Sequence, residues 1–100
     1  MFTARMDDEI VGVLVLSMRL NVSVGGRFGS VEELYVIPEA RRRGVGRALL
    51  GAVENRHSAL GTSYVEVQAV EDAAQAFYRA LGFEIEADVK MMSRSYPIQG

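Results

Sequence analysis

Apolar and polar positions divide this chain into strands and helices before any chemistry is considered. Phe2 to Met6 reads as a short strand and Asp7-Asp8-Glu9 as a polar turn; the Val- and Leu-rich run Ile10 to Leu20 predicts a second strand that completes a hairpin. The Gly25-Gly26 pair and Gly29 predict a loop. Ser30 to Ile37 predicts a third strand, stopped by Pro38 because a proline cannot donate to a sheet ladder. From Gly44 to Leu60, the apolar residues Val45, Ala48, Leu49, Ala52 and Val53 recur at helical spacing, with Gly61 as the C-terminal stop. Tyr64 to Val70 predicts another strand. Asp72 then stands as an N-cap with Gln75 in the capping-box position. It opens a helix that turns Ala73, Ala76, Phe77, Ala80 and Leu81 towards a core and ends at Gly82. Phe83 to Arg94 alternates enough for one or two strands. The order predicts an α+β fold, with helices packed on a mixed, mainly antiparallel sheet.

Composition narrows the class. One hundred residues, 49% of them hydrophobic, suit a single domain over 1–100 with one modest core. A net charge of −2 argues against a general nucleic-acid surface despite the Arg41-Arg42-Arg43 triplet. The absence of cysteine excludes disulfides, thiolate metal sites and cysteine nucleophiles, and is compatible with a reducing cytoplasm. The run Ile10 to Leu16 is far shorter than the roughly 20 residues a membrane helix needs, and Met1 opens no signal peptide. No carboxylate–histidine cluster has metal-ligand spacing, so no metal is expected. His57, on the polar side of the first predicted helix with Glu54 and Asn55, reads as a surface residue.

The strand–Pro–basic loop–helix order over 34–50 changes the picture most. Helix initiation leaves its first amides unpaired, Gly44 and Gly46 remove side chains from the approach, and Arg41, Arg42, Arg43 and Arg47 add positive charge. Such a point suits an anionic, phosphate-bearing ligand. A Walker loop would need a Gly-Lys-Ser/Thr ending that is missing, and a Rossmann fingerprint would need a glycine where Leu49 stands. The same residues also fit a plain turn whose arginines form a solvated cap.

The pattern Val36-x-Pro38-x-x-Arg41-x-x-Gly44-x-Gly46 resembles the acyl-CoA pyrophosphate loop of the GNAT superfamily, the GCN5-related N-acetyltransferases. Ala74-x-x-Phe77-Tyr78-x-x-Leu81-Gly82-Phe83 resembles that family's other signature, at the expected distance downstream. The resemblance covers roughly Phe2 to Met92. It implies strands at 30–37 and 64–70 that splay apart, so that the pantetheine arm of acetyl-CoA pairs with free backbone groups like an extra strand. By similarity, Val36 and Ile37 serve that arm and the thioester, Arg41, Arg42, Arg43, Gly44, Val45, Gly46 and Arg47 cradle the pyrophosphate, and Ala74 and Tyr78 lie against the cofactor. Glu71 stands where the family commonly has a cofactor-contacting asparagine. Relative to the family the chain is N-terminally abbreviated, lacking the first strand and two helices that wall the acceptor side. An open groove, a wall borrowed from a partner subunit in a homodimer, or a longer gene product are the expectations that follow.

The activity implied is N-acetyl transfer from acetyl-CoA to a small-molecule or peptide amine, directly and without a covalent enzyme intermediate. The alternative is a catalytically inactive CoA-binding or regulatory module. Acyl transfer to an ammonium needs a base, oxyanion stabilisation and an acid for the departing thiolate. Glu32 and Glu33 lie on the central strand, where the similar polyamine acetyltransferases are also acidic. Alternation predicts that they point to opposite faces, with Glu33 favoured as base because Leu34 and Val36 read as core on the Glu32 side. Tyr78 occupies the family position of the general acid, one step off the apolar stripe that carries Phe77.

Overall fold

A computed structural model describes residues 1–23 and 26–98 of the chain. They fall into two compact units, the first running from Met1 to Ala69 and the second beginning at Val70.

In the first unit, β1 (Phe2–Met6), β2 (Glu9–Asn21), β3 (Gly26–Val36) and β4 (Thr62–Val67) form one four-stranded sheet in the order β1-β2-β3-β4. The first two pairings are antiparallel and β3–β4 is parallel. Asp7 and Asp8 both have positive φ, 49° and 68°, the conformation of a two-residue type I′ turn, and Met6 pairs with Glu9 across it. Gly26 and Gly29, expected in a loop, lie inside β3. A Cβ on Gly29 would stand 3.0 Å from Leu16 Cδ1, so glycine serves close packing there rather than a turn. Gly25 lies outside the described residues.

A 3₁₀ turn (Pro38–Ala40) leads from β3 to α1 (Val45–Asn55), followed by the single-turn α2 (His57–Leu60). The one helix read over 44–60 is broken at Arg56, where Glu54 to Ser58 offer no apolar residue to hold a continuous buried stripe. Val45, Leu49, Leu50 and Val53 are buried on α1 and Ala48 is not, with Leu14 of β2 completely covered. The close seat of α1 depends on Gly12, because a Cβ there would lie 2.8 Å from Val45 Cγ1 and 3.2 Å from Leu49 Cδ1. Gly61, at φ 71°, ends α2 as expected.

The second unit contains α3 (Asp72–Ala80). Its N-cap is Glu71, without a side-chain cap bond. Asp72 is the first helical residue, so the expected capping box does not form and Asp72 acts instead through the positive helix end. The buried face is turned by one position from expectation: Tyr78 is buried and Phe77 half-buried, whereas Ala73, Ala76 and Ala80 are exposed. The aromatic pair carries far more apolar area than the alanines and decides the inward face. The segment after Gly82, expected to supply one or two strands, holds none among the described residues. Its alternation defines which side chains would share a face, but a strand also requires a ladder.

Candidate functional site

Two interruptions of the sheet create the first part of the site. Along β3, Val15 pairs with Glu33 and Leu16 with Val31, so Glu32 is an extra residue, a β-bulge. The parallel β3–β4 pairing ends at Val31–Val67, leaving Glu32 to Val36 without a β4 partner. The expected splay therefore begins at the bulge. Ile37 N–H donates to Val11 O at 2.9 Å, which turns the Ile37 amide towards β2. Backbone groups alternate along a strand, so the Val36 amide and carbonyl face the open side. That carbonyl accepts a hydrogen bond from Arg41 Nε at 3.0 Å, and the Arg41 guanidinium lies 5.7 Å from the centre of the Tyr35 ring.

The chain then enters the basic turn. Arg42 (φ 64°) and Gly44 (φ 80°) both take the left-handed conformation, on either side of Arg43. Backbone turns of this kind aim successive N–H groups at one point. Gly44 is the N-cap of α1 and offers no side-chain cap; a Cβ there would meet nothing within 4 Å. The first intrahelical acceptor is used by Ala48, whose amide bonds Gly44 O at 2.9 Å. Helix geometry thus leaves the amides of Val45, Gly46 and Arg47 unclaimed within the helix. Arg42, Arg43 and Arg47 are exposed around them, whereas Arg41 is engaged with Val36 and Tyr35. Val45 supplies an amide outward and a buried side chain inward.

The bulge also redistributes side chains. Gly12, Leu14 and Leu16 of β2 face α1, so Val13, Val15, Ser17, Arg19 and Asn21 face the other way. Glu33 is paired with Val15 and therefore shares the face away from α1. Glu32 lies on that face as well, because its carboxylate meets Ser17 and Arg19. The expectation that Glu32 and Glu33 point to opposite faces is overturned: the extra residue interrupts the alternation and puts both carboxylates on one side. Arg19 Nη2 donates to Glu32 Oε1 at 2.9 Å. The Ser17 hydroxyl first, then the Arg19 guanidinium, hold the Glu32 carboxyl below its ordinary range. Tyr35, Tyr64 and Glu66 share this face, with Tyr64 stacked on Phe28 at 4.8 Å and its hydroxyl accepting from Asn21 Nδ2 at 2.9 Å. Leu34 and Val36 lie towards α1, opposite both glutamates.

In the second unit, Leu81-Gly82-Phe83 end α3 in a Schellman motif. Phe83 N–H donates to Tyr78 O and Gly82 N–H to Arg79 O, both at 3.0 Å, with Gly82 at φ 96°. This brings the Phe83 ring edge-on to Tyr78 at 5.3 Å, while Phe77 meets the same ring at 5.2 Å. Burial pushes the Tyr78 phenol above its usual value of 10.0. The hydroxyl is therefore protonated at neutral pH, the state a proton donor requires. Ala74 is half-buried on the same helix, one turn before Tyr78.

Sequence reasoning passed over Arg19, Ser17 and Ser30, and the close seat of α1 on Gly12. None carries a local signal, because each acquires its role from a partner on another strand or helix.

A family model for the Acetyltransferase (GNAT) family matches residues 1–83. The aminoglycoside N(6′)-acetyltransferase type 1 of Klebsiella aerogenes is 36% identical over 90 residues, which cover 84% of this chain and 58% of that protein. The peptidyl-lysine N-acetyltransferase YiaC of Escherichia coli (strain K12) is 42% identical over 60 residues, covering 60% of this chain and 38% of that protein. The crystal structure of a ribosomal-protein-alanine N-acetyltransferase from Brucella melitensis biovar Abortus 2308 superposes with a TM-score of 0.79 at 20% identity, over 92% of this chain and 68% of that one; at that identity it speaks for the fold alone. The chain spans only part of the length of the curated relatives it matches, from 25% to 58%.

Proposed function

The chain belongs to the acetyltransferase (GNAT) family, and from that premise we propose that it moves an acetyl group from acetyl-CoA directly to a primary amine of a small molecule or peptide. The observation that carries the reading is the continuity of two features. The edge of β3 over Glu32 to Val36, past the end of its pairing with β4, runs through one short turn into the amide-rich start of α1. Such an edge suits the amides of a pantetheine arm, and the turn with Arg42, Arg43 and Arg47 suits a pyrophosphate. The residues present thus fit acetyl-CoA, which when bound supplies an activated acetyl thioester.

The chain's own residues take the remaining roles. The Val36 backbone aligns the reactive end of the cofactor, once Arg41 yields the carbonyl it now holds. Amides from Arg42 to Arg47 bind the diphosphate. Ile37 is left out of the cofactor contacts, its amide being bonded to Val11. Glu33 takes the proton from the acceptor ammonium. For Tyr78 and Ala74, which belong to the second unit, the family resemblance is what supports the roles of proton donor to the departing sulfur and of cofactor contact. The acidic and aromatic face of Glu32, Glu33, Glu66, Tyr35 and Tyr64 favours a cationic acceptor. An aminoglycoside-like polyamine or a lysine side chain, as the relatives' names suggest, fits that chemistry. A cytoplasmic homodimer, with the second copy walling the acceptor side, completes the proposal; sedimentation as a strict monomer would sink that last element.

The test is CoA release from acetyl-CoA across aminoglycosides, linear polyamines and lysine peptides, with product mass measured. Transfer to at least one class is expected. Binding of CoA without turnover on any class would reduce the protein to a CoA-binding module.

A further inference from the structure

Glu32, the extra residue of the bulge, has its carboxylate gathered in from across the β2–β3 ladder. Arg19 Nη2 lies 2.9 Å from Glu32 Oε1, and Ser17 and Ser30, directly opposite one another in the register, lie beside the same carboxylate and favour its charged form. The neighbouring Glu33 carboxylate shares the face but makes no hydrogen bond or ion pair among the described residues. We propose that Arg19 is a positioning residue that ties Glu32 into the bulge and so leaves Glu33 as the single carboxylate that takes the proton from the acceptor amine.

The inference rests on the acetyl-transfer reading and adds to it a division of labour between two adjacent carboxylates. In the step concerned, one proton passes from the ammonium nitrogen to Glu33, directly or through a water, and leaves a neutral amine with its lone pair free. Two unpaired carboxylates on one face would titrate as a coupled pair and share that proton. Arg19, which stays cationic at any working pH, neutralises one of them. Among the described residues, the other charged or titratable side chains on or over this face of the sheet are Tyr35 on β3 with the Arg41 guanidinium 5.7 Å from its ring, Glu66 and Tyr64 on β4 and, further off, Arg5 on β1. Arg19 is thus the cation that the register sets beside the glutamate pair.

The experiment compares kcat/KM–pH profiles of wild type, R19M, R19K, E32Q, E33Q and R19M/E32Q at low ionic strength, on the best amine of the panel. Removal of Glu33 is expected to lower kcat about 100-fold, and E32Q to stay at least about tenfold more active than E33Q. In R19M the freed Glu32 charge should carry the acid limb roughly half a pH unit to higher pH. R19K should keep the limb in place, and R19M/E32Q should return it to the wild-type position. A purely architectural Arg19 would show no such rescue. Arg19 is 53% exposed, so its replacement does not threaten the core. An E32Q loss as deep as that of E33Q, an unmoved limb in R19M, or a double variant that fails to restore it would each overturn the positioning role. Wild type that acetylates no amine would instead remove the acetyl-transfer reading, and the role with it.

Discussion

At the scale of single residues, two side chains hold their protons differently. Burial raises the Tyr78 phenol above 10.0. Its contribution to stability is therefore whole below the unfolded value and is lost as pH rises through the higher folded one. Tyr78→Phe should cost about 100-fold in kcat while leaving the CoA Kd within about twofold; calorimetry beside turnover checks it, and full activity would strip Tyr78 of the acid role. Glu32 has the opposite sign. Its carboxyl is held below 4.5 by Ser17 and Arg19, so the stabilisation is present above that value and disappears as pH falls through the lower folded one. The melting temperatures of wild type and R19M should converge as the Glu32 carboxyl is protonated in acid, and in high salt, because the pair is solvent-exposed and screened. That Tyr78 lies on a helix stopped at Gly82 was legible in the sequence. The Arg19–Glu32 pair was not, since nothing in either segment announces the other.

At the scale of elements, three glycines make opposite predictions from their surroundings. Gly12 lets α1 lie against β2, and Gly12→Ala should destabilise by about 1–3 kcal/mol through overpacking against Val45 and Leu49. Because Val45 is the first residue of α1, the same change should also weaken CoA binding. Gly51, inside α1 with no atom within 4 Å of a built Cβ, should gain roughly 0.5–1 kcal/mol on Gly51→Ala. Gly82, at φ 96°, should lose about 1–2 kcal/mol on Gly82→Ala, loosening the Phe83 ring from Tyr78. Thermal unfolding with CoA titration separates the three. Strand and helix existence in these regions followed from periodicity, yet the break at Arg56, the turned face of α3 and the lack of a strand among the described residues after Gly82 did not. Periodicity records which positions are apolar; it carries no information on which neighbour is available to cover them.

At the scale of the whole molecule, the net charge of −2 sits beside a turn with Arg41, Arg42, Arg43 and Arg47. Local rather than global charge should therefore govern cofactor capture. The CoA Kd is expected to rise about three- to tenfold between 50 and 500 mM salt, and an R42A/R43A/R47A variant should flatten that dependence; an unchanged salt slope would remove the arginines from the pyrophosphate site. The sequence by itself determined the family, the basic turn between β3 and α1 and the helix carrying Tyr78, because these reside in short contiguous patterns of glycine, proline and apolar spacing. Only the tertiary structure decided that β3 outruns β4, that Arg41 holds the Val36 carbonyl, and that Glu32 and Glu33 share a face. For the shared face of the two glutamates the reason is the single extra residue at Glu32. A bulge changes which side every later side chain takes, and its position is set by the partner strand rather than by the residues that form it.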